Sequence, residues 1–280
     1  MYKLGLIGYP LSHSISGVIQ KAGLKSLNLE GSYEILETNP EDLINRIKFL
    51  KVNDYTGFNV TIPLKVPIAL FLETVDKYAD IAGCANTVKI DPKDKSFHGY
   101  NTDVYGFQNA IPKDFDLKNK TVSILGTGGA SRAATIGVAE LGVKEINSYT
   151  RNIINSSNTI KYFREKFPEI KINVYQIQVL SDLSNTDMLV NTTPIGMRSK
   201  AMGEMPVSNE VLKTMKKDAL VYDVIYNPMK TALLENAEKN GLRTVNGLDM
   251  LIYQGAKALE IWTGKYPDVK DMKIAALQVL

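Results

Sequence analysis

A single cysteine, Cys84, leaves this chain unable to close a disulfide within itself, and a reducing compartment such as the cytoplasm is the expected home. Its better-supported role is that of a small buried residue. Histidine is nearly absent too, with only His13 and His98, and no metal is expected. No run of about 18 apolar residues exists, which excludes a membrane-spanning helix. Gly8, Pro10 and His13 interrupt the first apolar stretch, so no signal peptide is expected. Charge of one sign is also missing: the net charge is +3, and the lysines are scattered apart from short groups such as Lys118 with Lys120 and Lys216 with Lys217. That is no nucleic-acid footprint. What remains is a small-molecule partner for a monomer or homodimer.

What the sequence does contain begins with a glycine-rich turn. Thr121 to Arg132 reads T-V-S-I-L-G-T-G-G-A-S-R: the apolar run Val122 to Leu125 ends in Gly126, Gly128 and Gly129, and an Ala-rich helical stretch follows to Gly142. Strand, tight turn and helix in that order offer free N–H groups and the positive end of a helix dipole to a diphosphate, and glycines let the backbone approach it. Ser131 stands at the third glycine position of G-x-G-x-x-G, but a second β-rich run, Glu145 to Thr150, follows at the spacing of a βαβ unit. A dinucleotide site is expected here. After that second strand an acid would take the ribose hydroxyls of NAD, whereas an arginine accommodates the phosphate of NADP. The residues Tyr149, Thr150, Arg151 and Asn152 include no acid, and Arg151 offers a planar charged fork, so NADP is predicted over NAD.

At roughly 150 residues per domain, a chain of 280 residues predicts two domains. The first opens with a buried strand ending at Gly8, the loop Y-P-L-S-H-S-I-S, and a helix from about Ile15 to Leu29. Ser32 to Leu36 alternates like a strand, and Pro40 opens a helix with the stripe Leu43, Ile44, Ile47 and Leu50. Gly57 to Pro63 is strongly β-prone; two short helical pieces precede a strand from Asn86 to Ile90, which a polar turn joins to Phe97 to Tyr100 as a hairpin. Thr102 or Asp103 would cap the helix that follows. From Thr121 to about Val245 strands and helices alternate, with strands at Lys171 to Ile177, Met188 to Asn191 and Leu220 to Ile225, so a doubly wound parallel sheet is expected. Two final helices, one striped by Leu248, Leu251, Ile252, Leu259 and Trp262 and one opened by Pro267, follow without a strand and should pack back on the first domain.

Polar groups cluster where α/β domains place ligands, at strand ends: Ser12 to Ser16, Asn59 with Thr61 and Lys65, Asn86 with Thr87, and Asn101 to Asp103. Such groups suit a polyhydroxylated small acid without identifying it. Seven segments in order, G-Y-P-L-S-H-S-I-S, F-N-V-T-I-P-L-K, A-G-C-A-N-T, G-Y-N-T-D, G-T-G-G-A-S-R, N-T-T-P-I-G-M and Y-Q-G-A, resemble shikimate dehydrogenase over nearly the full length. The resemblance implies an α/β substrate domain with a mixed sheet, residues 1–104 plus 246–280, and a Rossmann-type NADP-binding domain, residues 105–245.

The resemblance also implies the reversible NADP-linked reduction of 3-dehydroshikimate to shikimate in aromatic amino-acid biosynthesis, with Lys65 and Asp103 as the catalytic pair. Ser14 and Ser16 would hold the substrate carboxylate, and Asn59, Thr61, Asn86, Tyr226 and Gln254 would surround the ring hydroxyls. Gly126, Gly128, Gly129 and Ala130 would take the diphosphate, Thr150 and Arg151 the adenosine side, and Thr192 and Gly247 the nicotinamide end. His13 and His98 are read as structural. Gln254 has separate support, because Gly255 inside a helix costs about 1 kcal/mol relative to alanine and so implies a close approach. Three departures stand out. Gly17 replaces the proline of S-x-S-P and should loosen the carboxylate loop; Gln20 stands near a histidine of the family; and Asn155 replaces a second basic residue, which leaves some use of NAD open. A paralogue oxidising quinate and a non-catalytic sensor of shikimate-like ligands remain as alternatives.

Overall fold

The computed structural model describes all 280 residues as two compact units, Met1–Gly106 with Ile252–Leu280, and Phe107–Leu251. In the first unit the chain runs β1 (Tyr2–Gly8), α1 (Ser16–Ser26), β2 (Gly31–Glu37), α2 (Leu43–Val52), β3 (Gly57–Val60), β4 (Thr74–Val75), α3 (Lys77–Ala82), β5 (Thr87–Ile90), β6 (Phe97–Tyr100) and the first half of α4 (Thr102–Ala110). Its six strands lie in the order β2-β1-β3-β5-β6-β4. β2, β1 and β3 are parallel, and β5 and β6 form the antiparallel hairpin expected from the turn at Asp91 to Lys95. The short edge strand Thr74–Val75 lies in a stretch where the sequence predicts only helical pieces.

Alternation along the strands sorts side chains onto two faces. Phe58, Val60, Val88 and Phe97 join Leu43, Ile47 and Leu50 of α2 in one apolar cluster. Tyr33 on β2, Gly57 and Asn59 on β3 and Thr87 on β5 share the other face by strand parity and register. Their strip of sheet carries polar groups, while Phe58, Val60, Val88 and Phe97 turn an apolar surface to α2 on the opposite face.

The second unit runs β7 (Thr121–Leu125), α5 (Gly129–Glu140), β8 (Glu145–Thr150), α6 (Ile153–Lys166), β9 (Lys171–Gln176), β10 (Met188–Asn191), α7 (Asn209–Leu212), β11 (Leu220–Asp223), α8 (Ala232–Lys239) and β12 (Arg243–Val245). All six strands are parallel, in the order β12-β11-β10-β7-β8-β9. That is the doubly wound order expected of a dinucleotide-binding sheet. The strands read as continuous apolar runs because both faces are covered: Val122, Ile124, Met188, Leu189, Val190, Leu220 and Val221 are all fully buried. The connection from β9 to β10 is an exception to the alternation, holding only one 3-10 turn, Ile177–Val179.

α9 (Leu248–Thr263) and α10 (Val269–Leu277) close the chain. From Ile252 onward they belong to the first unit, where α10 packs on α1 and Trp262 donates from Nε1 to the Val88 carbonyl at 2.9 Å. Gly57 makes room for that indole, since a Cβ there would lie 2.2 Å from Trp262 Nε1. Pro267 does not open α10; Asp268 caps it, accepting from Lys270 N, and the proline stands one residue before the cap. α1 is shorter than its apolar pattern, because Leu27 closes it and Asn28 turns to a φ of 53°. None of the helices is long and apolar enough to cross a membrane.

Candidate active site

Lys65 lies just beyond β3, in the turn that follows Pro63, and Asp103 is the second residue of α4. Their side chains meet, with Nζ 2.5 Å from Oδ2, at 19% and 10% side-chain exposure. The pairing depends on the cap of α4. Asn101 Oδ1 accepts from the backbone N–H of Asp103 at 3.2 Å, so neither Thr102 nor Asp103 caps the helix as expected, and the Asp103 carboxylate is free to face the lysine. Its other oxygen accepts from Asn86 Nδ2 at 2.7 Å. Burial pulls the Lys65 ammonium toward neutrality, but the charge and hydrogen bond of Asp103 together outweigh it and hold its pKa above the ordinary lysine value.

Asn86 is the hub of this network. Its Oδ1 accepts the backbone N–H of Thr102 at 2.8 Å, which fixes the amide so that Nδ2 faces Asp103 Oδ1, Thr102 Oγ1 at 3.0 Å and Gln254 Oε1 at 3.3 Å. Asn59 donates to Thr87 Oγ1 at 2.9 Å and to the Asn86 carbonyl at 3.2 Å. Thus Lys65, Asp103, Asn86, Gln254 and Asn59 form one connected set, although up to 168 positions separate members that touch. Thr87 and Thr102 belong to it as well; the sequence marks them only as polar neighbours of Asn86 and Asp103. Gly255 makes its close approach to α1, where a Cβ would lie 3.2 Å from Gln20 Nε2, so the glycine serves helix packing beside Gln254.

Ser14 and Ser16 stand at the start of α1, whose first residues have no side-chain cap, and Ser14 Oγ accepts from Ser16 N at 3.3 Å. An uncapped helix start beside two hydroxyls suits a carboxylate. Gly17 is the second helical residue, its Cβ position 3.8 Å from Ile35, so it lies in the helix and not in the loop that it was expected to loosen. Thr61 follows β3, donates its N–H to the Ile7 carbonyl, and packs Cγ2 against Gly8. His13 is exposed, whereas His98 contacts Thr74 and Ser96 around the hairpin at 2.7 and 3.0 Å.

In the second unit the glycine turn joins β7 to α5 as the sequence predicts, and its glycines serve different ends. Gly126 has a φ of 103° and its Cβ position lies 2.7 Å from Thr192 Oγ1, so the turn itself demands glycine. Gly128 has an ordinary φ of −83° and nothing within 4 Å of its Cβ position. Open space in front of Gly128, an uncapped α5 starting at Gly129 and Ala130, and no acid in its first turn are the features an approaching diphosphate needs. Thr150 ends β8 with Oγ1 3.2 Å from Thr127 Oγ1, and Arg151 is exposed with no ion pair or hydrogen bond for its guanidinium. The residues present therefore fit NADP. Thr192 Oγ1 donates to the Leu125 carbonyl at 2.6 Å. Gly247 is required by the chain itself, since a Cβ there would lie 1.9 Å from the Val224 carbonyl oxygen. Tyr226 follows on the same loop after β11, and burial pushes its phenol pKa up.

Comparison with known proteins agrees with this geometry. Residues 6–88 match the family model described as the shikimate dehydrogenase substrate binding domain, and residues 247–277 match that of the shikimate 5'-dehydrogenase C-terminal domain. A shikimate dehydrogenase (NADP(+)) of Caldanaerobacter subterraneus subsp. tengcongensis is 37% identical over 94% of this chain and 92% of its own length. Shikimate 5-dehydrogenase from Thermus thermophilus, solved with NADP(H) and shikimate, superposes with a TM-score of 0.86 at 30% identity, covering 100% of both chains. Quinate dehydrogenase from Corynebacterium glutamicum, solved with NAD, gives a TM-score of 0.90 at 26% identity over 99% of both chains. With a part-buried Lys–Asp pair in one unit, a bare glycine turn in the other and relatives matched over nearly the full length, the chain belongs to the shikimate dehydrogenase family.

Proposed function

We infer that this protein interconverts 3-dehydroshikimate and shikimate with NADP. The observation that carries the inference is the Lys65–Asp103 pair, locked at 2.5 Å by Asn86 in a polar network that accounts for most of the matched family residues of the first unit. When bound, the dinucleotide supplies or removes the hydride. The protein supplies orientation and the hydroxyl proton. In the direction of reduction the charged Lys65 gives its proton from Nζ to the carbonyl oxygen as the alcohol forms, and Asp103 keeps the lysine in place; at 19% exposure Lys65 recovers the proton from solvent. In oxidation the same nitrogen takes the proton back. Ser14 and Ser16 bind the carboxylate, with Thr61, Asn86, Tyr226 and Gln254 at the ring hydroxyls. Asn59 has both amide hydrogens engaged inside the protein and acts by holding Asn86.

Residues 1–104 plus 246–280 act as the substrate domain and residues 105–245 as the cofactor domain. In the cofactor domain Gly128, Gly129 and Ala130 take the diphosphate on the turn set by Gly126, Thr150 and Arg151 take the adenosine phosphate side, and Thr192 shapes the nicotinamide end together with Gly247, just past the domain boundary. Asn155, at the start of α6, brings no second charge to the phosphate, so measurable use of NAD is part of the proposal. Four parallel assays test it: reduced-nicotinamide absorbance with shikimate or quinate, each with NADP or NAD. Shikimate with NADP should be fastest. Quinate with NAD as the best pair would reassign the substrate, and silence in all four would leave a ligand sensor.

A further inference from the structure

Tyr33 is a buried aromatic on β2, two strands away from β3 and without any place in the family motifs of the sequence. Its hydroxyl nevertheless donates to Asn59 Oδ1 at 2.8 Å. Asn59 then has no freedom left. The Asn86 carbonyl can only accept, so Nδ2 must face it and Thr87, and Oδ1 must face the tyrosine. Because Asn59 donates to Thr87 Oγ1, the single hydroxyl hydrogen of Thr87 points onward, to Asn86 Oδ1 at 3.1 Å or Thr102 Oγ1 at 3.2 Å. Asn86 in turn donates to Asp103, and Asp103 holds Lys65. Tyr33, Asn59, Thr87, Asn86 and Asp103 are each between 0% and 7% exposed, so water cannot replace a missing link from bulk.

Resting on the dehydrogenase activity proposed above, we propose that Tyr33 is a positioning residue, the anchor of a one-way chain of hydrogen bonds that runs through Asn59, Thr87 and Asn86 to set the Asp103 carboxylate against Lys65. The chain positions and does not conduct. Between Tyr33 and Asp103 it contains only amides and a hydroxyl, and burial pushes the Tyr33 phenol far above its ordinary value, so no member exchanges a proton near neutrality. Protons enter and leave on the Lys65 side. Tyr33→Phe keeps the ring and its packing but leaves Asn59 Oδ1 buried without a donor, which lets the Asn59 amide, and the groups that it orders, relax.

The test is a double-mutant cycle on purified protein whose wild-type turnover has first been established with shikimate and NADP. Tyr33→Phe should lower kcat about ten-fold, the scale of a small misplacement at the reacting group, with KM for shikimate within about two-fold. In an Asn59→Ala background the same change should lower kcat no further, since the link through which it acts is already gone. Thr87→Val, which cuts the chain one step on, should reproduce the kcat loss and serves if Tyr33→Phe fails to fold. Wild-type kcat in Tyr33→Phe, or the same fractional loss in the presence and absence of Asn59, would overturn the proposal. An inactive wild type would instead overturn the activity itself, so the two failures are distinguishable.

Discussion

The candidate sites of the two units are built in opposite ways. In the first unit the network around Lys65 is closed on itself: Asn59, Thr87, Asn86, Thr102, Asp103 and Lys65 satisfy one another before any ligand arrives. In the second, the polar groups of the turn are left open, with an uncapped helix, free space at Gly128 and an unpaired Arg151. The contrast fits the roles proposed for each. A proton-transfer pair works only at fixed geometry, so its orientation is set in advance by buried hydrogen bonds. A diphosphate carries its own charge and needs donors and a dipole kept unspent for it.

The largest expected effect breaks the interlocked side. Lys65→Ala should lower kcat by about a thousand-fold, within the range of a lost general acid–base group, while shikimate binding measured by calorimetry is largely kept. Unchanged turnover would remove Lys65 from the chemistry.

The second unit also holds interlocked acids, and one of them sharpens the comparison. Asp223 is fully buried at the end of β11, and burial pushes its pKa up to about 6 despite hydrogen bonds from Thr231, Ile225 and Asn191. Between its unfolded value of 3.8 and about 6 the folded state holds the proton that the unfolded chain releases, so this group makes stability fall as pH rises through that window. The loss should approach about 3 kcal/mol at neutral pH. Urea unfolding of wild type and Asp223→Asn at intervals from pH 4 to 7 checks it: the difference between the two should change across that window and level off above it. A constant difference would mean that Asp223 titrates alike in both states.

On the open side, Arg151→Ala should raise KM for NADP about ten- to hundred-fold, the scale of one or two charge-assisted hydrogen bonds, and leave KM for NAD nearly unchanged. Asn155→Arg should shift preference the other way. Equal losses with both dinucleotides would show that Arg151 does not read the phosphate. The smallest effect is at Gly17: its Cβ position has 3.8 Å of clearance to Ile35, so Gly17→Ala should stabilise by about 0.4–1 kcal/mol through the unfolded chain, seen as a higher Tm at unchanged activity.

Much of this architecture is local and therefore legible in the sequence. The apolar runs of β7, β10 and β11, the glycine turn before α5 and the hairpin of β5 and β6 are each encoded within about a dozen residues, by burial pattern and turn chemistry. Short-range competition is harder to read. Asn101, Thr102 and Asp103 are all good caps, and only the structure shows Asn101 accepting the N–H, which releases Asp103 for Lys65. The purpose of individual glycines is equally hidden: Gly247 and Gly255 are fixed by the Val224 carbonyl and by Gln20, groups on other segments, whereas Gly128 faces open space.

By itself the sequence determined the parallel sheet, the hairpin of β5 and β6, the order of motifs and the residue types able to handle a carboxylate, a hydroxyl proton and a diphosphate, because these depend on neighbours along the chain. Only the tertiary structure decided which of those residues act together. Nothing along the chain marks Tyr33 until β1 pairs with both β2 and β3 and the tyrosine hydroxyl reaches Asn59 across it; Gln254 meets Asn86 across 168 positions. Hydrogen bonds reach about 3 Å and fail when misaligned, so their partners are chosen by how strands and helices pack in space, a choice that no spacing along the chain records.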